Sequence, residues 1–128
     1  MILVDTSVII DYVRGKDPKL AGLLPQVSGA VCGIVRAELL CGARDPSHRS
    51  NLLTLLSTFS QLPLLESLWD KVGDNLATLR LQGITVPFPD TVIVTLGIEN
   101  DLEVWARDRQ FPLMQKALQS LKLFQEPP

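Results

Sequence analysis

The chain has 128 residues, 46% of them apolar and 20% charged, with a formal net charge of −2. That balance excludes a disordered polymer and predicts a single domain over residues 1–128, large enough to bury a core without staples. No run approaches the roughly 18 apolar residues of a membrane span, and Met1-Ile2-Leu3-Val4-Asp5 meets an acid with no basic leader, so the expectation is a cytoplasmic protein.

In chain order, Ile2-Leu3-Val4 is a continuous apolar run of the kind found in a central strand buried on both faces. Asp5-Thr6-Ser7 follows with N-cap chemistry, and residues 8–14 run as a helix until Gly15. Asp17-Pro18 opens a second short helix through Leu24, closed by Pro25. Ala30-Val31-Cys32 reads as a strand and Gly33 as a break, after which a helix from Ile34 carries Glu38 to Cys41-Gly42. Asp45-Pro46 starts the next helix, with Leu52, Leu53, Leu55, Leu56 and Phe59 on its apolar face. Leu62-Pro63-Leu64-Leu65 is expected as an edge strand, where a proline is tolerated.

A long amphipathic helix is predicted over residues 67–82, with Leu68, Val72, Leu76 and Leu79 in register and Gly83 as its stop. Residues 84–89 form a connecting loop whose prolines, Pro87 and Pro89, hold the chain extended before Asp90. The segment 91–99 is apolar nearly all round. An acid behind proline, together with the segment's length, favours a buried helix over a strand, and Gly97 would admit a close neighbour. Residues 102–106 make the next strand, leading to Arg107-Asp108-Arg109. Phe111-Pro112 opens a helix to about Gln119, and residues 121–124 make the last strand. This alternation predicts a three-layer α/β/α sandwich around a mainly parallel sheet, with ligands bound beyond the carboxyl ends of the strands.

Cys32 and Cys41 are the only cysteines and His48 the only histidine. Their spacing matches neither a structural zinc site nor a Cys–His nucleophile pair. Both thiols are expected as small buried hydrophobes and His48 as a surface residue. Trp105 is expected in the core. Trp69 and Tyr12 read as packing residues before base-stacking ones.

The chemistry lies in four acids, Asp5, Glu38, Asp90 and Asp108, each at or near a junction on the ligand end of the sheet. Each also has an ordinary alternative. Asp5 and Asp90 are suited to capping helices, Glu38 to a solvated helix face, and Asp108 to pairing with Arg107 or Arg109. Gathered in one pocket they would raise one another's pKa, and a hard divalent cation with oxygen preference is the usual neutraliser. Such sites handle phosphate. Thr6 and Ser7 beside Asp5, and Arg107 and Arg109 beside Asp108, are the candidate substrate contacts, with Arg36 a further candidate. Setting the four acids aside leaves ten against twelve Lys and Arg, so the net charge is only weak evidence against a nucleic-acid substrate, though it argues against tight, non-specific binding to duplexes.

Val4-Asp5-Thr6-Ser7 resembles the opening motif of a PIN domain, and Ala37-Glu38-Leu39-Leu40-Cys41-Gly42-Ala43 its second. Pro89-Asp90-Thr91-Val92-Ile93 and the stretch from Val104 to Phe111 resemble the third and fourth, in the same order and at similar distances. In size the chain is similar to the VapC-type toxins of toxin–antitoxin pairs. The resemblance implies a Mg²⁺- or Mn²⁺-dependent endoribonuclease with Asp5, Glu38, Asp90 and Asp108 as its acidic pocket, and Asp5 and Asp90 as the foremost metal ligands. It further implies a homodimer and a small antitoxin whose tail fills the groove. Two positions depart from the pattern: Ala106, where Thr or Ser is frequent, and Val35, where a hydroxyl is frequent. Both remove side-chain hydrogen bonds that orient ligands.

Haloacid-dehalogenase-like phosphatases need a second acid two residues after the first, where this chain has Ser7, and the paired acids of a receiver domain are missing. The alternative that stays open is a PIN fold without catalysis, serving as an RNA- or protein-binding module.

Overall fold

The computed structural model describes residues 1–128. Its centre is β1 (Ile2–Val4), flanked by β2 (Gly29–Val31) and β4 (Glu103–Trp105); β3 (Ser60–Gln61) and β5 (Lys122–Leu123) are the edges. The order is β3-β2-β1-β4-β5, and every ladder is parallel, with Leu3 opposite both Ala30 and Val104. Parallel neighbours need crossovers, supplied here by α1 (Thr6–Arg14), α2 (Pro18–Leu23), α3 (Gly33–Cys41), α4 (Pro46–Leu56), α5 (Leu68–Leu81), α6 (Phe88–Glu99) and α7 (Gln110–Ala117). A 3₁₀ turn, Leu24–Gln26, follows α2. No helix is long and apolar enough to cross a membrane.

The apolar runs expected at the sheet centre are buried: Leu3, Val4, Val31, Val104 and Trp105 have essentially no exposed surface. They belong to one cluster of 25 buried apolar residues shared by sheet and helices. Helix α6 is the most enclosed element, with Thr91 through Gly97 all buried. Each fully buried Val, Ile or Leu contributes about 1.5–3 kcal/mol relative to an exposed one, so α6 is fixed firmly against the sheet. A Cβ on Gly97 would lie 2.5 Å from Val104 Cγ2, which accounts for glycine at this crossing. Gly15 closes α1 in the left-handed region at φ 63°.

Four local expectations are corrected. The edge strand is Ser60–Gln61, not residues 62–65; the Leu62 N–H still reaches Val31 O at 2.8 Å, but Pro63 has no donor to continue the ladder. Gly33 begins α3 rather than interrupting the chain, with Cys32 in the cap position. Asp90 does not cap α6. Pro87 stands at the cap, and Phe88 and Pro89 precede Asp90 within the first turn, where a proline lacks no needed N–H. Cys32 is buried as expected, but Cys41, the last residue of α3, is exposed. His48 is half-buried, its Nδ1 accepting the Arg44 backbone N–H at 3.1 Å.

Candidate active site

Because β1 lies between β2 and β4, its carboxyl end opens where their crossovers also begin. Asp5 continues the sheet for one more bond, its N–H donating to Trp105 O at 2.8 Å. Its side chain then turns into α1: Oδ2 accepts the Ser7 N–H at 3.0 Å and the Ser7 hydroxyl at 2.6 Å. Both bonds fall on Oδ2, so capping and a second duty for Oδ1 are compatible. Asp5 is buried, and burial pushes its carboxyl pKa up; the Ser7 bonds oppose this and the charge of Glu38 adds to it.

Thr6 Oγ1 donates to Glu38 Oε1 at 2.8 Å, tying the first turn of α1 to α3. Glu38 itself is exposed. Asp90 enters from the first turn of α6, where backbone N–H groups and the helix dipole favour an anion. Even so, its Oδ2 is buried with no hydrogen-bond donor. Burial pushes its pKa up to about 7, reinforced by the charges of Asp5, Asp108 and Glu38 in that order. Asp108 stands after β4, exposed, with Oδ1 accepting the Gln110 N–H at 2.9 Å at the start of α7. The four acids therefore face one electrostatic environment, although they come from four separate crossovers.

The substrate-contact expectations divide. Thr6 and Ser7 are engaged with Glu38 and Asp5 and hold those carboxylates in place. The backbone N–H of Arg107 donates to Ser7 Oγ at 2.9 Å, extending this support to the exit of β4. Its guanidinium does not reach for a phosphate. It binds both oxygens of Glu126 at 2.8 and 2.7 Å, Asp17 at 2.7 Å and Asp11 at 3.3 Å, committing four of its five donors to carboxylates. The expected phosphate clamp is thus a structural fork. Arg109 is exposed. Arg36 is directed to Gln61 at a marginal 3.5 Å. Glu126 was not singled out in the sequence, where it is a lone acid in a proline-ended tail. Of the departures, Val35 is a core residue and Ala106 is half-buried.

No three Asp, Glu, His or Cys side chains are gathered into a ready-made metal cage. The donor set is instead open and all oxygen, with one orphaned, buried carboxylate atom facing three like charges. That suits a small hard cation that keeps most of its water and takes one or two carboxylates directly.

Comparison with known proteins agrees with this architecture. The chain is 30% identical over 111 residues to Ribonuclease VapC32 of Mycobacterium tuberculosis, covering 86% of each chain. Its fold is similar to VapBC2 from Rickettsia felis, solved bound to a promoter DNA fragment, with a TM-score of 0.84, 18% identity and coverage of 99% and 100% of the two chains. It is also similar to VapBC-5 from Mycobacterium tuberculosis, a member of the VapBC family of toxin-antitoxin systems, with a TM-score of 0.69, 19% identity and 97% coverage of each. The PIN domain family model matches residues 2–117, which include all four acids, and the chain belongs to the PIN domain family.

Proposed function

We propose that this protein is a divalent-cation-dependent endoribonuclease and the toxin of a toxin–antitoxin pair. The observation that carries the reading is Asp90: a carboxylate oxygen buried without a donor, opposed by three other acids, makes sense if a cation completes its surroundings. The curated relative is named a ribonuclease, and the similar solved structures are toxin–antitoxin assemblies.

Asp5 and Asp90 are the residues to hold Mg²⁺ or Mn²⁺, with Asp108 and Glu38 direct or through water. The ion would supply charge neutralisation at the scissile phosphate and acidify a water molecule. Ser7 fixes the Asp5 carboxylate through two bonds on one oxygen, so its orientation is set before a ligand arrives. Thr6 holds Glu38 by Oε1, leaving Oε2 to take the proton of the water that attacks phosphorus in line, opposite the departing 3′ oxygen. Arg109, exposed beside Asp108, is the remaining side-chain cation at that motif for the RNA backbone.

The partners that go with this reading are RNA, a small antitoxin and a second copy of the chain, whose presence light scattering would report. The test is incubation of purified protein with total RNA and Mg²⁺, mapping new 5′ ends. Asp5→Asn and Asp90→Asn should each abolish cleavage with the fold retained, and full activity in either would overturn the assignment. Calorimetric titration with Mn²⁺ separates the enzyme from a binding module: heat lost in Asp5→Asn supports the site, and no heat with the native chain supports the module.

A further inference from the structure

A cavity of about 340 Å³ lies between α1, α3 and the start of α4, and Glu38 forms part of its wall. Arg14, the last residue of α1, and Arg44, in the loop before α4, line it as well. The acids of this protein pair with Lys19, Lys71, Arg107 and Lys122, and neither Arg14 nor Arg44 has a carboxylate partner, although Glu38 shares their cavity. Both guanidiniums are exposed, and their shared place on one recess wall puts two cationic forks where a single anion can meet them.

The rest of the wall is built rather than incidental. Asp45 caps α4 and accepts the His48 N–H at 2.7 Å, while His48 Nδ1 accepts the Arg44 N–H at 3.1 Å. That double tie sets the backbone of Arg44, and it makes Nε2 the ring atom left to donate. Ile10 and Leu52 supply an apolar surface. The volume is near the lower end for small-ligand sites, about 300 Å³.

We propose that this cavity is the subsite for one unpaired nucleotide flanking the scissile phosphate, with its phosphate on Arg14 and Arg44 and its base against Ile10 and Leu52. The assignment rests on the ribonuclease reading, because Glu38 links the cavity to the acid pocket through Thr6. His48 Nε2 then reads an acceptor on the base edge, which makes the cavity a determinant of cleavage sequence. A base reaches such a floor only when it is unstacked, so the substrate is single-stranded at this position.

The experiment is an amide NMR titration of the native chain in EDTA with each of AMP, GMP, CMP and UMP. The expected result is movement of the Gly42, Arg44 and His48 amides, with one base binding more tightly than the others. Arg14→Gln/Arg44→Gln should weaken that binding about tenfold without disturbing the rest of the spectrum. In cleavage the same variant should raise KM about tenfold, keep kcat within about threefold, and relax the base preference beside the cut. Silent cavity amides with all four nucleotides, or equal binding by the variant, would overturn the subsite. A response only to a partner protein's peptide would overturn it in favour of a protein groove. RNA cleavage by a chain whose cavity stays silent removes the subsite and leaves the reading of the acids intact. Nucleotide binding here by a chain that cuts no RNA removes the ribonuclease reading instead.

Discussion

At the scale of single residues, Asp90 is where stability and function oppose each other. Its carboxyl pKa lies near 3.8 when unfolded and about 7 when folded, so the folded state is disfavoured progressively as pH rises through that window. Asp90→Asn removes the charge, and its amide gives the neighbouring carboxylates a donor. In cation-free buffer at pH 8 the variant should be more stable by about 1–2 kcal/mol, below the roughly 4 kcal/mol of a fully desolvated three-unit shift because the site is partly open to water. The gain should fade below about pH 4, where the native acid is protonated in both states. Mn²⁺ should raise the melting temperature of the native chain and leave that of the variant unmoved. A variant less stable than the native chain at pH 8 would remove the strain argument. Asp90 also marks what the sequence could convey: its type and position behind Pro89 were readable, but its orphaned oxygen depends on three acids from other crossovers.

At the scale of elements, periodicity located the strands and helices because burial imposes it, as the β1 run and the α5 register illustrate. Boundaries drifted where one backbone bond decides the outcome, as at Pro63 and at the Pro87–Pro89 entry to α6. Two glycines in the longest helices, Gly73 in α5 and Gly97 in α6, give a paired test of packing against propensity. A methyl at Gly97 would meet Val104 on β4 at 2.5 Å, whereas Gly73, in α5, has nothing within 4 Å. Gly97→Ala should therefore cost about 1–3 kcal/mol despite alanine's better helix propensity. Gly73→Ala should gain about 0.5–1 kcal/mol. Urea unfolding of both variants reads the two signs, and equal effects would mean that α6 is not held as closely as its burial implies.

At the scale of the whole molecule, the N-terminal helices and the C-terminal tail meet in one polar knot, joined to Asp5 through the Arg107 N–H and Ser7. Glu126 holds the Arg107 fork, receives the Trp105 indole N–H at 2.9 Å and pairs with Lys19 at 3.3 Å; Lys19 also donates to Pro127 O. Arg107 passes the connection to Asp11 and Asp17 through its side chain, and to Ser7 through its backbone. None of this was legible in the sequence, since nothing local distinguishes a tail acid that bonds residues about twenty and a hundred positions away. The tail also lies beyond the stretch that matches the PIN domain family model. The Arg107 fork beside Glu126 holds its carboxyl pKa at about 2, against 4.5 unfolded. A depressed acid stabilises fully above its unfolded pKa, and that stability drains as pH falls from about 4.5 towards 2. Glu126→Gln keeps the shape and removes the charge, so it should cost about 1–2 kcal/mol at pH 7, discounted for the solvent that reaches the knot. In urea unfolding the gap between native and variant chains should be constant from pH 7 to about 5 and narrow steadily between 4.5 and 3. A gap that is absent at pH 7, or unchanged at pH 3, would mean that the ion pairs of the tail do not hold the end of the chain in solution.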